Sequence, residues 1–289
     1  MEESLDPSSV DIVVTSPPYN IGAHYSRYND RLPREEYLGW IERVGKGVKR
    51  VLSHDGSFFL NVGSKPSDPW IPLDVAQRLR PLFVLQNVLH WVKSIAISKN
   101  DMGRYPGTSN SISTGHYKPV GGNRYVNDSH EYIFHFTKTG RVPLDRLAVG
   151  VPYQDKSNVG RWKSAKNDVH CRGNTWFIPY QTIQNREKER PHPSSFPDRL
   201  PEMCIRLHGL SRSKLVMDPF VGLGSSAIAA YRLALPFIGF DIDVAYLAEA
   251  KRRLEALQSS RMKDQTRPKA GNNLSRVRDR RRLPNLVSA

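Results

Sequence analysis

At 289 residues the chain is long enough for one sizeable core, and a single α/β domain carrying insertions fits better than two equal domains. Its 43 Lys and Arg outnumber 28 acidic residues, and the resulting net charge of +15 suits a polyanionic partner, nucleic acid foremost. Two cysteines, Cys171 and Cys204, exclude a disulfide framework or multi-cysteine zinc site; no apolar run approaches the roughly 20 residues of a membrane span, and the acidic Met1-Glu2-Glu3-Ser4 is unlike a signal peptide, so a soluble, cytoplasmic protein is expected.

Val10 to Thr15 (VDIVVT) is a β-branched run ending in a Ser-Pro-Pro turn, which predicts a buried parallel strand opening into a loop at its carboxyl end. From Arg34 to Leu52 the apolar residues Tyr37, Leu38, Ile41, Val44, Val48, Val51 and Leu52 recur at helical spacing, and Ser57 to Val62 reads as the next strand, completing a β-α-β unit. A helix from near Ile71 and a strand over Val84 to Val92 repeat the pattern. Ser94 to Ser129, rich in Gly, Ser, Asn and basic residues, is expected to be a mobile loop. Glu131 to Phe136 restores a strand, while Gly140 to Asn185 shows no sustained period and looks inserted.

The last third returns to order, with a helix over about Pro197 to His208, a strand at Lys214 to Asp218, a helix after Gly224, a strand at Pro236 to Asp241 and a helix from Val244 to Leu257. Such alternation predicts an α/β fold with a doubly wound, mostly parallel sheet and helices on both faces. From Ser259 onward nine Lys and Arg stand against two Asp with few apolar residues, which predicts a disordered basic tail.

Two constellations carry chemistry. Leu215 to Ser225 (LVMDPFVGLGS) places an apolar strand before a Gly-rich turn and an Ala-rich helix, where glycines admit a close ligand and the helix offers free amides. Asp241 ends the next strand about 20 residues on, where a carboxylate can hold ribose hydroxyls, so a nucleoside-containing ligand is expected. Ala227 breaks the full dinucleotide fingerprint and Asp218-Pro219-Phe220 is an unusual opening for a dehydrogenase, so S-adenosyl-L-methionine fits better than NAD.

Thr15-Ser16-Pro17-Pro18-Tyr19 is the second constellation. A base amino nitrogen is a poor nucleophile because its lone pair is delocalised into the ring, and a site must hold both amino hydrogens with acceptors to steer that lone pair at a methyl donor. Ser16 Oγ and the Pro17 carbonyl suit this role, the two prolines stiffen the loop, and Tyr19 offers a face for a flipped-out base. Direct displacement of this kind needs no metal ion. C5 chemistry would need a cysteine nucleophile, usually after proline, whereas Cys171 follows His170 and Cys204 follows Met203; both read as structural.

With these motifs in this order the chain resembles the DNA amino-methyltransferases whose catalytic motif precedes the cofactor motif. TSPPY matches the catalytic tetrapeptide, DPFVGLGSS the cofactor loop, FIGFD the ribose-binding strand end, and His192 to Pro197 (HPSSFP) the segment before the cofactor helix. The resemblance covers most of Val10 to Leu257 and implies the Rossmann-like methyltransferase fold. It implies Ser16, Pro17, Pro18 and Tyr19 as catalytic, and Thr15, His192, Ser194, Asp218, Pro219, Phe220, Gly222, Gly224, Ser225 and Asp241 as cofactor-binding. It divides the chain into a catalytic half (1–139), a target-recognition insert (140–190), a cofactor half (191–258) and the tail (259–289). The Ser-Pro-Pro-Tyr form favours N4 of cytosine, with N6 of adenine as the alternative.

Duplex DNA is the expected partner, and Arg161, Lys163, Lys166, Arg172 and Arg186 of the insert are its candidate contacts, near Trp176 and Tyr180. His90, Trp91 and Lys93 either approach the DNA or cap the sheet edge. A cognate restriction endonuclease and a second copy of the chain are the protein partners this reading admits. Similar proteins often carry a Gly-Asp segment before the catalytic strand that helps hold the adenine ring; here only a short lead precedes Val10, so either another segment does that work or the chain begins too far downstream. A methyltransferase acting on RNA or protein glutamine, and a non-catalytic DNA-binding module, stand as rival readings.

Overall fold

The β-branched run Val10–Thr15 forms β1, buried along almost its whole length. The structure, a computed structural model, describes residues 4–103, 110–115, 121–161, 163, 166–179, 196–266 and 285–288; Tyr180, Arg186, His192 and Ser194 lie outside the described residues. After β1 comes α1 (Arg34–Val51), with Glu35 and Glu36 in its first turn and Lys49 and Arg50 in its last, which complements the helix dipole. Its apolar face, Tyr37, Leu38, Ile41, Val48 and Val51, is buried. At Gly45 an added Cβ would lie 2.5 Å from Leu79 of α2 (Ile71–Leu79), so the missing side chain lets the two helices close.

Between these helices runs β2 (Leu52–Val62), which starts five residues before the predicted Ser57 because Leu52 already pairs with Val10 across an irregular register. The polar stretch Ser53-His54-Asp55 hid that start from an apolar-run argument. Next come β3 (Val84–Val92), β4 (Ser94–Ile97), β5 (Ile112–Gly115) and β6 (His130–Thr137). The expected mobile loop is thus in part a hairpin, since β4 and β5 pair antiparallel from Ser94↔Gly115 to Ile97↔Ile112.

The remaining elements are β7 (Thr175–Phe177), α3 (Arg199–His208), β8 (Val216–Asp218), α4 (Ser225–Arg232), β9 (Phe237–Asp241), α5 (Val244–Thr266) and β10 (Asn285–Ser288). The main sheet has the order β10-β9-β8-β1-β2-β6-β3-β7, and every neighbouring pair is parallel except those made by β6, which runs against both β2 and β3. This is the doubly wound, mostly parallel sheet that the sequence predicts. Ile12, Val14 and Phe59 pack on the face covered by Met203 and Cys204 of α3 and Ala227 of α4, while Val13, Phe58 and Leu60 pack towards α1 and α2.

Two expectations are corrected. Order continues beyond Ser259: α5 runs to Thr266, and Asn285–Ser288 add a parallel edge strand beside β9, where the apolar Leu286 packs against the core. Trp176, read beside the DNA contacts, instead lies in β7 at the sheet edge, 1% exposed, because its apolar ring completes the core around Trp91. Trp91 is likewise core and donates its indole N–H to Ile178 O at 2.8 Å. Among the described residues no helix is long and apolar enough to cross a membrane.

Candidate active site

Strand order reverses at β1: the chain leaves it through α1 to β2 on one side, whereas β8 and β9 lie on the other. In open α/β sheets ligands bind outside the carboxyl ends of the strands at such a switch point. Here the switch is clamped. Thr15 at the end of β1 donates its hydroxyl to Asp218 Oδ1 at 2.5 Å, the Ser226 hydroxyl donates to Oδ2, and Phe220 N donates to Oδ1 at 2.9 Å. Burial pushes the Asp218 carboxyl up to about 6 against the opposing pull of these hydrogen bonds. Thr15 and Asp218 are each 1% exposed and do not line the cavity beside them; they were expected to bind cofactor, but they brace its wall.

The Gly-rich loop follows β8, with Gly222 at φ 48° and Gly224 at φ 82°, both in the left-handed region that glycine adopts without strain. A Cβ on Gly224 would also come within 2.9 Å of Ala250 Cβ in α5. Gly222 N donates to Asp241 Oδ2 and Asp243 N to Asp241 Oδ1, both at 2.9 Å, so the carboxylate at the end of β9 is held rigidly. Burial raises the pKa of Asp241 and those amides oppose the rise. Each oxygen keeps lone-pair capacity for a ligand hydroxyl.

These loops meet the catalytic loop at one cavity of about 270 Å³. Ser16 and Pro18 line it on one side; Pro219, Phe220, Gly222, Ser225 and Asp241 line it on the other. A segment that sequence reasoning missed supplies a further wall, through Tyr25, Ser26, Arg27 and Tyr28. Asp30, 2% exposed, organises that segment by accepting the amides of Asn20, Ile21, Gly22 and Ala23 at 2.7 to 3.1 Å. The Asn20 side chain closes the loop on Leu32 N and O, and the Ser26 hydroxyl donates to Asp243. Tyr28 lies 5.2 Å from Trp40 and Trp40 lies 5.3 Å from Phe220, centroid to centroid, so aromatic rings from three places in the chain meet there. The available signal was the polar and aromatic run Tyr25-Ser26-Arg27-Tyr28 so soon after the Ser-Pro-Pro-Tyr loop.

Behind Ser16 lies a buried polar network. Tyr19 is 6% exposed and is not on the cavity wall; its hydroxyl turns inward to Glu131 Oε2 at 3.0 Å and lies 2.5 Å from Ser16 Oγ. Asn61 Nδ2 donates to Tyr19 Oη at 2.6 Å and to Glu131 Oε2 at 2.7 Å, and Lys93 Nζ sits 3.1 Å from Glu131 Oε1. Pro17 is buried, and the Pro18 carbonyl accepts from the Tyr37 hydroxyl at 3.0 Å, which anchors the proline loop to α1. Asn61 and Glu131 are not singled out as site residues by the sequence; Lys93, a candidate for the DNA or the sheet edge, is engaged by Glu131 here.

Of the residues expected to meet DNA, Arg161, Lys163 and Lys166 are exposed. Arg172 is half-buried and donates Nε–H to Val149 O at 2.7 Å, so it fastens the insert internally. Cys204 is buried in the core as a structural cysteine would be, whereas Cys171 is exposed.

Comparisons with known proteins fit this geometry. The type II methyltransferase M.BglII of Bacillus subtilis is 31% identical over 252 residues, covering 83% of this chain and 62% of the relative, so the chain spans less than two thirds of that protein's length. A Thermus thermophilus protein assigned as a DNA modification methylase, complexed with S-adenosyl-L-methionine, superposes with a TM-score of 0.51 at 25% identity, over 87% of each chain. The cytosine-N4-specific PvuII DNA methyltransferase of Proteus hauseri shares the fold at a TM-score of 0.59 and 21% identity, over 94% of this chain and 84% of its own. Residues 10–252 match the N6/N4 DNA methylase family model, and the chain belongs to that family.

Proposed function

We propose that this chain is an S-adenosyl-L-methionine-dependent DNA methyltransferase that modifies an exocyclic amino nitrogen, N4 of cytosine. One observation carries the reading: Ser16 and Pro18 of the catalytic loop, Gly222 of the Gly-rich loop and Asp241 at the end of β9 line the same cavity. A methyl donor and an amino group must meet within reacting distance, and a shared cavity meets that requirement. The residues present fit the cofactor. Asp241, fixed by two backbone amides, suits ribose hydroxyls, and the Tyr28, Trp40 and Phe220 rings offer flat apolar walls to an adenine.

When bound, the cofactor supplies an electrophilic methyl group on a sulfonium. The chain's own residues then orient the acceptor: Ser16 Oγ and the Pro17 carbonyl accept the two amino hydrogens, which turns the nitrogen lone pair towards the methyl carbon. Residues 140–190 serve as the target-recognition region, with exposed Arg161, Lys163 and Lys166 on the DNA phosphates. The Ser-Pro-Pro-Tyr form supports cytosine. The Bacillus subtilis relative is a type II methyltransferase, and the reading extends a restriction-modification context, with a cognate endonuclease, to this chain.

The test is to incubate the protein with unmethylated bacterial DNA and isotope-labelled cofactor, digest to nucleosides and identify the label by mass spectrometry. N4-methylcytosine is the expected product. N6-methyladenine would reverse the base while keeping the mechanism. Absence of label in DNA, with cofactor binding demonstrated by titration, would overturn the DNA reading in favour of an RNA or protein substrate.

A further inference from the structure

We propose that Glu131, acting through Tyr19, is the positioning residue that makes Ser16 an acceptor towards the target amino group; the inference rests on the methyltransferase reading above. A serine hydroxyl carries one hydrogen and can either donate or accept along a given direction. To accept an amino hydrogen in the cavity, Ser16 must spend its own hydrogen elsewhere. Its nearest polar partner is Tyr19 Oη at 2.5 Å, another hydroxyl, so the pair alone does not determine which of them donates.

Glu131 breaks that symmetry. An ionised carboxylate only accepts, so the Tyr19 hydrogen goes to Glu131 Oε2, 3.0 Å away. With its one hydrogen given to Glu131, Tyr19 can only accept; Asn61 Nδ2 donates to its oxygen at 2.6 Å, and the remaining acceptor capacity makes that oxygen the receiver for Ser16. The Ser16 hydrogen therefore points inward; Asn61 Nδ2 donates to its oxygen at 3.4 Å, and a lone pair remains for the cavity that Ser16 lines.

Two further features serve the same arrangement. Asn61 Nδ2 donates to both Tyr19 Oη and Glu131 Oε2, so the donor side of the amide faces the tyrosine and the carboxylate together. Gly63 packs where a Cβ would come within 2.9 Å of Tyr19 Cε2 and 3.1 Å of Glu131 Cδ, so the tyrosine and the carboxylate are pressed together by the backbone of the β2 exit. Lys93, 3.1 Å from Oε1, supplies the counter-charge.

The experiment is a single-turnover methyl-transfer assay at saturating cofactor and DNA. It compares the parent with Glu131→Gln, Glu131→Asp, Tyr19→Phe and the Glu131→Gln/Tyr19→Phe double variant, with KM for DNA, cofactor affinity and Tm measured on each. Glu131→Gln and Tyr19→Phe should each slow transfer roughly 10- to 100-fold, the effect of one charge-assisted hydrogen bond, while cofactor affinity and KM stay within about twofold. Glu131→Asp should recover part of the rate. The double variant should be no slower than the slower single, because Glu131 acts through a hydroxyl that phenylalanine lacks.

A Glu131→Gln rate within about twofold of the parent overturns the inference, as do losses that multiply in the double variant or that follow Tm or cofactor affinity instead of the transfer step. Should Glu131→Gln fail to fold, Tyr19→Phe decides alone, and a retained rate overturns the inference. A parent that labels no DNA refutes the methyltransferase reading itself; an active parent with a full-rate Glu131→Gln refutes only the role of Glu131.

Discussion

Acidification should destabilise this protein through a buried trio that takes no part in the site. His135 Nε2 and His208 Nδ1 each lie 2.9 Å from Ser57 Oγ, and Asn87 Nδ2 lies 3.0 Å from His135 Nδ1. With both rings neutral each of these three contacts has one donor and one acceptor: Asn87 donates to His135, His135 to Ser57, and Ser57 to His208. Burial, with His208 nearby, pushes His135 down from 6.5 to about 3; burial, with Arg212 nearby, pushes His208 down from 6.5 to about 4. For such groups the contribution to stability is full above pH 6.5 and is lost as pH falls towards the folded value, because the unfolded chain takes up the protons first. Between pH 7 and pH 5 each imidazole costs about 2 kcal/mol.

Asp218 works the other way, since its raised pKa makes the folded state bind the proton first, and it returns about 1 kcal/mol over the same interval. Carboxylates held low, such as Glu42 beside Lys46, give up their contribution only at lower pH. The net loss is about 2 to 3 kcal/mol. Urea midpoints at pH 7 and pH 5 measure it directly, and His135→Gln should shrink the difference to below about 1 kcal/mol, whatever its stability at pH 7. Equal or greater stability at pH 5, or an undiminished difference in His135→Gln, would refute the reasoning.

The site makes further claims that are open to measurement. Ser16→Ala should slow methyl transfer by roughly 100-fold or more with cofactor affinity intact, whereas Asp241→Ala should weaken cofactor binding and leave the saturated rate largely in place; single-turnover rates and calorimetric titration separate the two. Gly224→Ala meets both a left-handed φ and Ala250, and should lower stability by about 1 to 3 kcal/mol in urea titration. Replacing Lys163 and Lys166 by Ala should weaken DNA binding irrespective of sequence and reduce the slope of log K against log salt by about 1 each; an unchanged slope would place the phosphate contacts elsewhere.

What the sequence made legible was local. Val84–Val92 and the helix after Gly224 follow from runs and spacings that a window of residues contains, and Ser16 and Asp241 share a cavity because both stand just beyond or at the carboxyl ends of parallel strands. The cover over the cavity was not legible, since Asp30 holds it by backbone amides seven to ten residues earlier and no side-chain pattern marks such bonds. Asn61 and Glu131 did leave a trace: each is a polar residue in a mostly apolar run, in SFFLNV and EYIFHF, as Ser57 and His135 also are, and buried polar residues need partners. Which partners they find is a matter of pairing, not period.

That pairing depends on the one reversed strand. Were β6 parallel to its neighbours, its first residues would lie at the opposite edge of the sheet, some 20 Å from the switch point at roughly 3.3 Å per residue. Because β6 runs against β2 and β3, its beginning meets their ends: Tyr132 pairs with Val62, and Glu131 with Trp91. A carboxylate is thereby delivered between Asn61 and Lys93, directly behind Tyr19. Burying it there is tolerable only because three donors converge on it; an isolated carboxylate in that place would be strongly destabilising. The reversal therefore does for Glu131 what the parallel strands do for Ser16 and Asp241, and it explains why a residue 112 positions from Tyr19 in the chain reaches its hydroxyl.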